Sequence, residues 1–287
     1  MKKAFFAFLL FVVAIPTQAQ NSLLWKIESP QGKVSYLYGT YHLLGADYFK
    51  ERPAVMEAYK ASQKVVVETV IDSSKLVEFA SLMMMPGYSL KEMTDSADYQ
   101  LLKKELEPIL GMDLMMFDIM KPMVLSTSYS VALAEKLTPD SLIYGGLPMD
   151  MYFARNAKLE GKELIKLETM KEQFEILFGS QTIEEQLTDL LDIVKEDQKG
   201  SDVMMGILNA YFDNDLDGLY ASSMDFDGES ESMEVMIDDR NKNWIVSLEE
   251  PLQEGGLFIA VGALHLPGEK GLIKLLQAKG FKFTALN

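Results

Sequence analysis

The chain of 287 residues contains two histidines, and both occupy the same local pattern, Gly39-Thr40-Tyr41-His42-Leu43 near one end and Gly262-Ala263-Leu264-His265-Leu266 near the other. A hydrophobic run leads into each glycine, over 34–38 and 257–261, and each copy is followed by a helical stretch and another extended one. In the first copy Pro53 opens the helix and Val65-Val66-Val67 forms the next strand; in the second the helix covers 269–278 and the strand 281–286. An unbroken run such as Val65-Val66-Val67 suits a strand buried on both faces. The repeated unit predicts an α/β fold whose parallel strands are joined by right-handed crossovers, with ligands gathering at the carboxyl ends of the strands. Both histidines fall there. Glycine at each strand exit lets the chain turn sharply and lets backbone come close to a ligand.

The rest of the sequence fits around this repeat. Runs at 24–27 and 34–38 flank the turn cluster Ser29-Pro30-Gln31-Gly32 and predict a hairpin. From about 73 to 248 apolar residues recur at helical spacing, with capping boxes at Thr169/Glu172 and Thr182/Glu185, the second followed by Ile183, Leu187, Leu190, Leu191 and Val194. One short strand at 163–167 interrupts this helical block. No Gly/Ser-rich or Pro-rich linker divides 20–287, which reads as one domain: a central mixed sheet built from pseudo-symmetric amino- and carboxyl-terminal β-α-β units, with the helical block inserted between them. Residues 1–19 carry Lys2, Lys3, an apolar stretch and Thr17-Gln18-Ala19, the pattern of a cleaved signal peptide, and place the mature protein in the periplasm or outside the cell. No later segment holds the roughly 18 apolar residues that a membrane-spanning helix needs.

Composition narrows the chemistry. With no cysteine, thiolate metal sites, disulfides and cysteine nucleophiles are excluded, and any metal must be held by His, Asp or Glu. A formal charge of −16 with no basic stripe excludes a general nucleic-acid binder. Glu68 ends the Val65-Val66-Val67 strand, and its carboxyl end is expected beside that of 34–38; an ionised carboxylate there needs a partner or a metal. Arg240 falls at the centre of an apolar stripe made by Met233, Met236, Ile237 and Trp244 at 100° per residue. Its anion could be Glu68, a substrate carboxylate or a developing oxyanion, unless the side chain simply snorkels at the core margin. Two histidines and a carboxylate with open positions suit metal-assisted hydrolysis. Other patterns carry less. The run Asp213-x-Asp215-x-Asp217-Gly218 opens like a calcium loop but has Met224 where a bidentate Glu is required. The methionines, including Met83 to Met85 and Met112, Met115, Met116 and Met120, read as core filler rather than an adaptable groove. The acidic run at 225–234 reads as a solvated face, and no Ser-His pairing stands out.

These residues resemble the TraB/GumN group, which also contains the Tiki metalloproteases and is distantly similar to erythromycin-esterase-like and ChaN-like proteins. The resemblance rests on both Gly-x-x-His motifs, on Glu68 in Val-Val-Val-Glu, and on Arg240 and Asn241 in Asp-Asp-Arg-Asn-Lys-Asn-Trp. The segment from Gly161-Lys162 to Glu168-Thr169, with Asp150 upstream, is similar to the group's central motif. The resemblance implies a site built from both repeats and holding a divalent ion such as manganese or cobalt, with zinc also suited to the donors. His42, His265 and Glu68 are then the expected metal ligands, Glu68 and Arg240 the expected catalytic residues, and Gly39, Gly262, Asp150, Glu168 and Asn241 further motif positions. The expected activity is a metal-dependent hydrolase acting on a peptide or another small molecule. The alternative is a secreted binding or regulatory protein that sequesters a peptide, a metal or haem in the same pocket, and a purely structural globule would hold the two histidines far apart. Metal identity, substrate and oligomeric state stay open.

Overall fold

The computed structural model describes residues 21–70, 75, 79–227 and 233–286. The expected signal peptide lies outside them, as does half of the acidic run at 225–234. Strands β1 (Leu24–Glu28) and β2 (Val34–Thr40) form the expected hairpin, with Leu24 opposite Tyr38 and the Ser29 N–H closing the turn onto the Lys33 carbonyl at 2.8 Å. Strands β3 (Lys64–Val67), β4 (Glu163–Lys166), β5 (Leu257–Gly262) and β6 (Lys282–Leu286) complete a mixed sheet in the order β4-β3-β5-β2-β1-β6. β4, β3, β5 and β2 are mutually parallel, while β1 runs against both of its neighbours.

The helices used below are α1 (Pro53–Ala61), α2 (Ser96–Leu110), α3 (Pro122–Leu137), α4 (Met149–Leu159), α5 (Met170–Gly179), α6 (Ile183–Lys195), α7 (Asp197–Phe212), α8 (Leu216–Asp227), α9 (Asp239–Glu254) and α10 (Leu272–Ala278). Parallel β-α-β units are present at both ends, through α1 and α10, yet neither joins adjacent strands. β5 inserts between β2 and β3, so Glu68 leaves the sheet beside β5 and not, as its sequence position suggested, beside β2. The reason is burial: every residue of β5 is buried, and such a strand is stable only at the centre of a sheet covered on both faces.

Two apolar clusters form. The larger packs the sheet against α1, α4 and α9; the smaller lies within the helical block and includes Leu102, Leu106, Leu125, Tyr129, Leu187, Leu190 and Val194. Both capping boxes are made, Thr169 with Glu172 at the start of α5 and Thr182 with Glu185 at the start of α6. Several local expectations change. A π-helical turn, Glu234–Asp238, precedes α9, with the Asp239 N–H donating to the Glu234 carbonyl five residues back. Its wider winding breaks the 100° stripe, so Met233, Met236 and Ile237 are only half-buried while Arg240 and Trp244 are buried. Met85 fills core space, but Met112, Met115 and Met116 are exposed, because they sit on or just before a short 3₁₀ turn, Leu114–Phe117, whose buried contact is made by Leu114. Asp215 accepts from the Gly218 N–H at 2.9 Å ahead of α8, the work of a helix cap.

Candidate active site

The parallel register of β2 and β5, with Thr40 opposite Gly262, points both strand exits the same way and lays the two Gly-x-x-His turns side by side. Neither Gly39 nor Gly262 has a positive φ, so neither is needed for an unusual turn. Gly39 is needed for close packing: a Cβ there would meet Ala263 Cα and Cβ at 3.0 Å, where one repeat presses on the other. Gly262 keeps a space open. A Cβ on it would lie 3.2 Å from Glu68 Oε1, 3.4 Å from His42 Nε2 and 3.5 Å from His265 Cδ2. One point thus touches both imidazoles and the strand-end carboxylate.

His265 is enclosed. Its Nδ1–H donates to Asn241 Oδ1 at 2.8 Å, and Asn241 Nδ2 in turn donates to the His265 and Lys270 carbonyls. The Trp244 ring lies over the imidazole with centroids 4.3 Å apart, and Arg240 Nη1 donates to Nε2 at 3.2 Å. This pattern fixes the neutral Nδ1–H tautomer. Burial disfavours the charged ring, the Glu68 carboxylate opposes that only partly, and Arg240 and His42 add repulsion, so the group is pushed down to about 3.

Arg240 is the hub. Its Nε and Nη2 form a fork on Glu168 at 3.1 and 2.6 Å, Nη2 also reaches Glu68 Oε2 at 2.6 Å, Nη1 donates to the Met236 carbonyl at 3.0 Å, and the guanidinium sits 4.7 Å over the Trp244 ring. With the bond to His265, all five of its N–H donors are engaged. A snorkelling arginine is thereby excluded. Glu168 arrives through β4, whose extension brings the Glu168 N–H onto the Glu68 carbonyl at 3.0 Å. Glu68 Oε1 accepts the Gly262 N–H at 2.7 Å. Burial works against its charge, but His265, His42, Arg240 and the Gly262 N–H together hold the carboxyl down at about 2.

His42 stands at the mouth, its side chain 61% exposed. Its Nδ1 pairs with Asp150 Oδ2 at 2.7 Å, and Thr40 Oγ1 donates to Asp150 Oδ1 at 2.7 Å. Asp150 is placed by the first turn of α4. Loss of water around the ring works against the proton; the hydrogen bond and charge of Asp150, aided by Glu68 and opposed by Arg240, outweigh it and lift the imidazole to about 9.

The donors suit a divalent ion in kind. Two imidazoles each have Nδ1 fixed by an oxygen, the usual support of a metal-binding histidine, and one carboxylate oxygen faces the same glycine-lined point. An ion there would compete with Arg240 for His265 Nε2, and among the described residues no group of three or more His, Asp or Glu already encloses a vacant centre. A cavity of about 600 Å³ opens from His42, Glu68 and Asp150 and runs along α4 to Arg155 and Lys158, with Gln173 at its side. Gln173 Nε2 reaches Glu68 Oε2 at 3.4 Å. Sequence reasoning missed Thr40, Trp244 and Gln173. Thr40 lies inside the first Gly-x-x-His motif and Trp244 four residues after Arg240, so neighbourhood was the only available signal for either.

Fold and site together define an α/β protein with a His/Glu/Arg centre at the carboxyl ends of parallel strands, assembled from two sequence repeats. The chain belongs to the TraB/PrgY/gumN family, whose model matches residues 23–285. No curated protein matches it.

Proposed function

We propose that this protein is an extracytoplasmic hydrolase that uses a divalent ion to cleave peptide bonds. One observation carries the reading: His42 Nε2, Glu68 Oε1 and the His265 ring meet around the space that Gly262 leaves empty, next to a cavity large enough for a substrate. His42, His265 and Glu68 would hold the ion, with manganese or cobalt favoured by the family resemblance and zinc compatible with the same donors. A bound ion would supply Lewis acidity, acidifying water and polarising a carbonyl. The chain's own residues set the stage for it. Asp150 and Asn241 orient the two imidazoles, and Arg240 and the Gly262 N–H keep Glu68 ionised, which suits a ligand better than a proton acceptor. Arg240, with every donor engaged, acts through Glu68, Glu168 and His265 and is a positioning residue rather than a substrate clamp.

The test is peptide-library cleavage by the purified mature protein with added manganese, cobalt or zinc, read by mass spectrometry beside His42→Ala and His265→Ala. Ion-dependent products that disappear in both variants are expected. Equal products from wild type and variants, or none with any ion, overturn the reading. Sequencing the amino terminus of the protein recovered outside the cytoplasm tests export, with a start near residue 20 expected.

A further inference from the structure

We infer that the cavity beside His42 receives the carboxyl-terminal end of a short peptide, an apolar side chain against its wall and the α-carboxylate on Arg155 and Lys158; this rests on the hydrolase reading above. One face of α4 builds the cavity wall, since Asp150, Ala154 and Lys158, and beside them Met151 and Arg155, recur every four residues and all line it. Toward the site the wall is apolar, through Val70, Pro148 and Ala154. At the far end it turns basic. Arg155 and Lys158 are exposed, and neither makes an ion pair with any described residue. Two cations left unpaired on the rim of an apolar cavity suit an apolar ligand that ends in an anion.

Spacing narrows the ligand further. Asp150 marks the chemical end through its bond to His42, and at about 1.5 Å of rise per residue Arg155 and Lys158 stand roughly 7 and 12 Å further along the helix. An extended peptide covers about 3.3 Å per residue, so a carboxylate held there lies about two to four residues beyond a bond presented at His42. The product is then a free di- to tetrapeptide. In its release the C–N bond breaks, the oxygen of water joins the carbonyl carbon, and the proton that water gives up goes to the departing amine.

Calorimetry on the full protein without added ion, with N-acetyl-Ala-Leu as the free acid and as its carboxyl-terminal amide, tests the pocket separately from turnover. The acid is expected to bind about tenfold more tightly than the amide, and an Arg155→Gln/Lys158→Gln double variant should bind the two alike, while Arg155→Lys/Lys158→Arg keeps the preference. Equal binding of acid and amide by wild type overturns the inference. So does dodecanoate binding more tightly than the peptide acid, which would assign the cavity to an acyl chain. A protein that prefers the acid yet cleaves nothing with any ion loses the hydrolase reading and keeps the pocket; one that cleaves peptides but ignores the terminal carboxylate does the reverse.

Discussion

The two Gly-x-x-His turns share sequence and strand context, yet they place their imidazoles in opposite electrostatic settings. At His42 the Nδ1 partner is a carboxylate and the ring faces solvent; at His265 the partner is a neutral amide, the ring is buried and a guanidinium faces Nε2. The first is held up at about 9 and the second down at about 3. Local sequence therefore decides where the imidazole goes, and its surroundings decide its charge: the Asp150 carboxylate holds the His42 proton, while burial and the Arg240 guanidinium keep His265 neutral. The glycines diverge in the same way, Gly39 making room for the opposite repeat and Gly262 for a ligand.

The hardest break is at Arg240. Arg240→Met strands Glu68 and Glu168 in the interior and is expected to cost about 3–5 kcal/mol, read by urea unfolding, and to raise the titration point of His265 by removing the cation beside it. Next come the glycines. Gly39→Ala meets backbone at 3.0 Å and should cost about 1–3 kcal/mol. Gly262→Ala meets side-chain atoms no closer than 3.2 Å and should cost less than about 1 kcal/mol, yet weaken ion binding markedly because its methyl occupies the shared point. A stability loss at Gly262 larger than that at Gly39 would erase the distinction drawn between them.

A gentler exchange swaps the Nδ1 partners. Asp150→Asn should bring His42 down from about 9 toward its ordinary 6.5, and Asn241→Asp should raise His265 from about 3, both followed by NMR of the ring protons in ion-free protein. The smallest effect is on stability against pH. The folded state holds the His42 proton more tightly than the unfolded chain, so this pair's contribution is full below 6.5 and fades as pH rises through about 9. His265 acts on the other flank, contributing above 6.5 and losing that contribution as pH falls toward about 3. Unfolding midpoints measured across this range should weaken on both sides, and Asp150→Asn should flatten only the alkaline limb.

Much of this was legible because local chemistry carried it. The apolar runs of β3 and β5, the hairpin turn and the capping boxes each satisfy a short-range physical requirement that spacing displays. His42, His265 and Glu68 stood out because each follows a buried strand. What stayed hidden depends on distant partners. Strand order cannot be read from β5 alone, since its central position follows from which helices cover it. Asp150 and Glu168 showed as motif positions, but their roles come from His42 and Arg240, reached across 108 and 72 residues of chain. The π turn before α9 has no local marker, and it displaced a stripe that uniform winding placed correctly for Arg240 and Trp244 but not for Met233. Nothing in the sequence marks Arg155 and Lys158, because their place on the cavity wall depends on how α4 packs beside the site.

The insertion of β5 between β2 and β3 also sets a clock on the molecule. The central strand, the second imidazole and the N–H that steadies Glu68 all come from beyond residue 256, so a ribosome must pass β5 before the site can be completed. A fragment cut short of β5 would keep His42 and Glu68 but lose both His265 and the N–H that steadies the carboxylate.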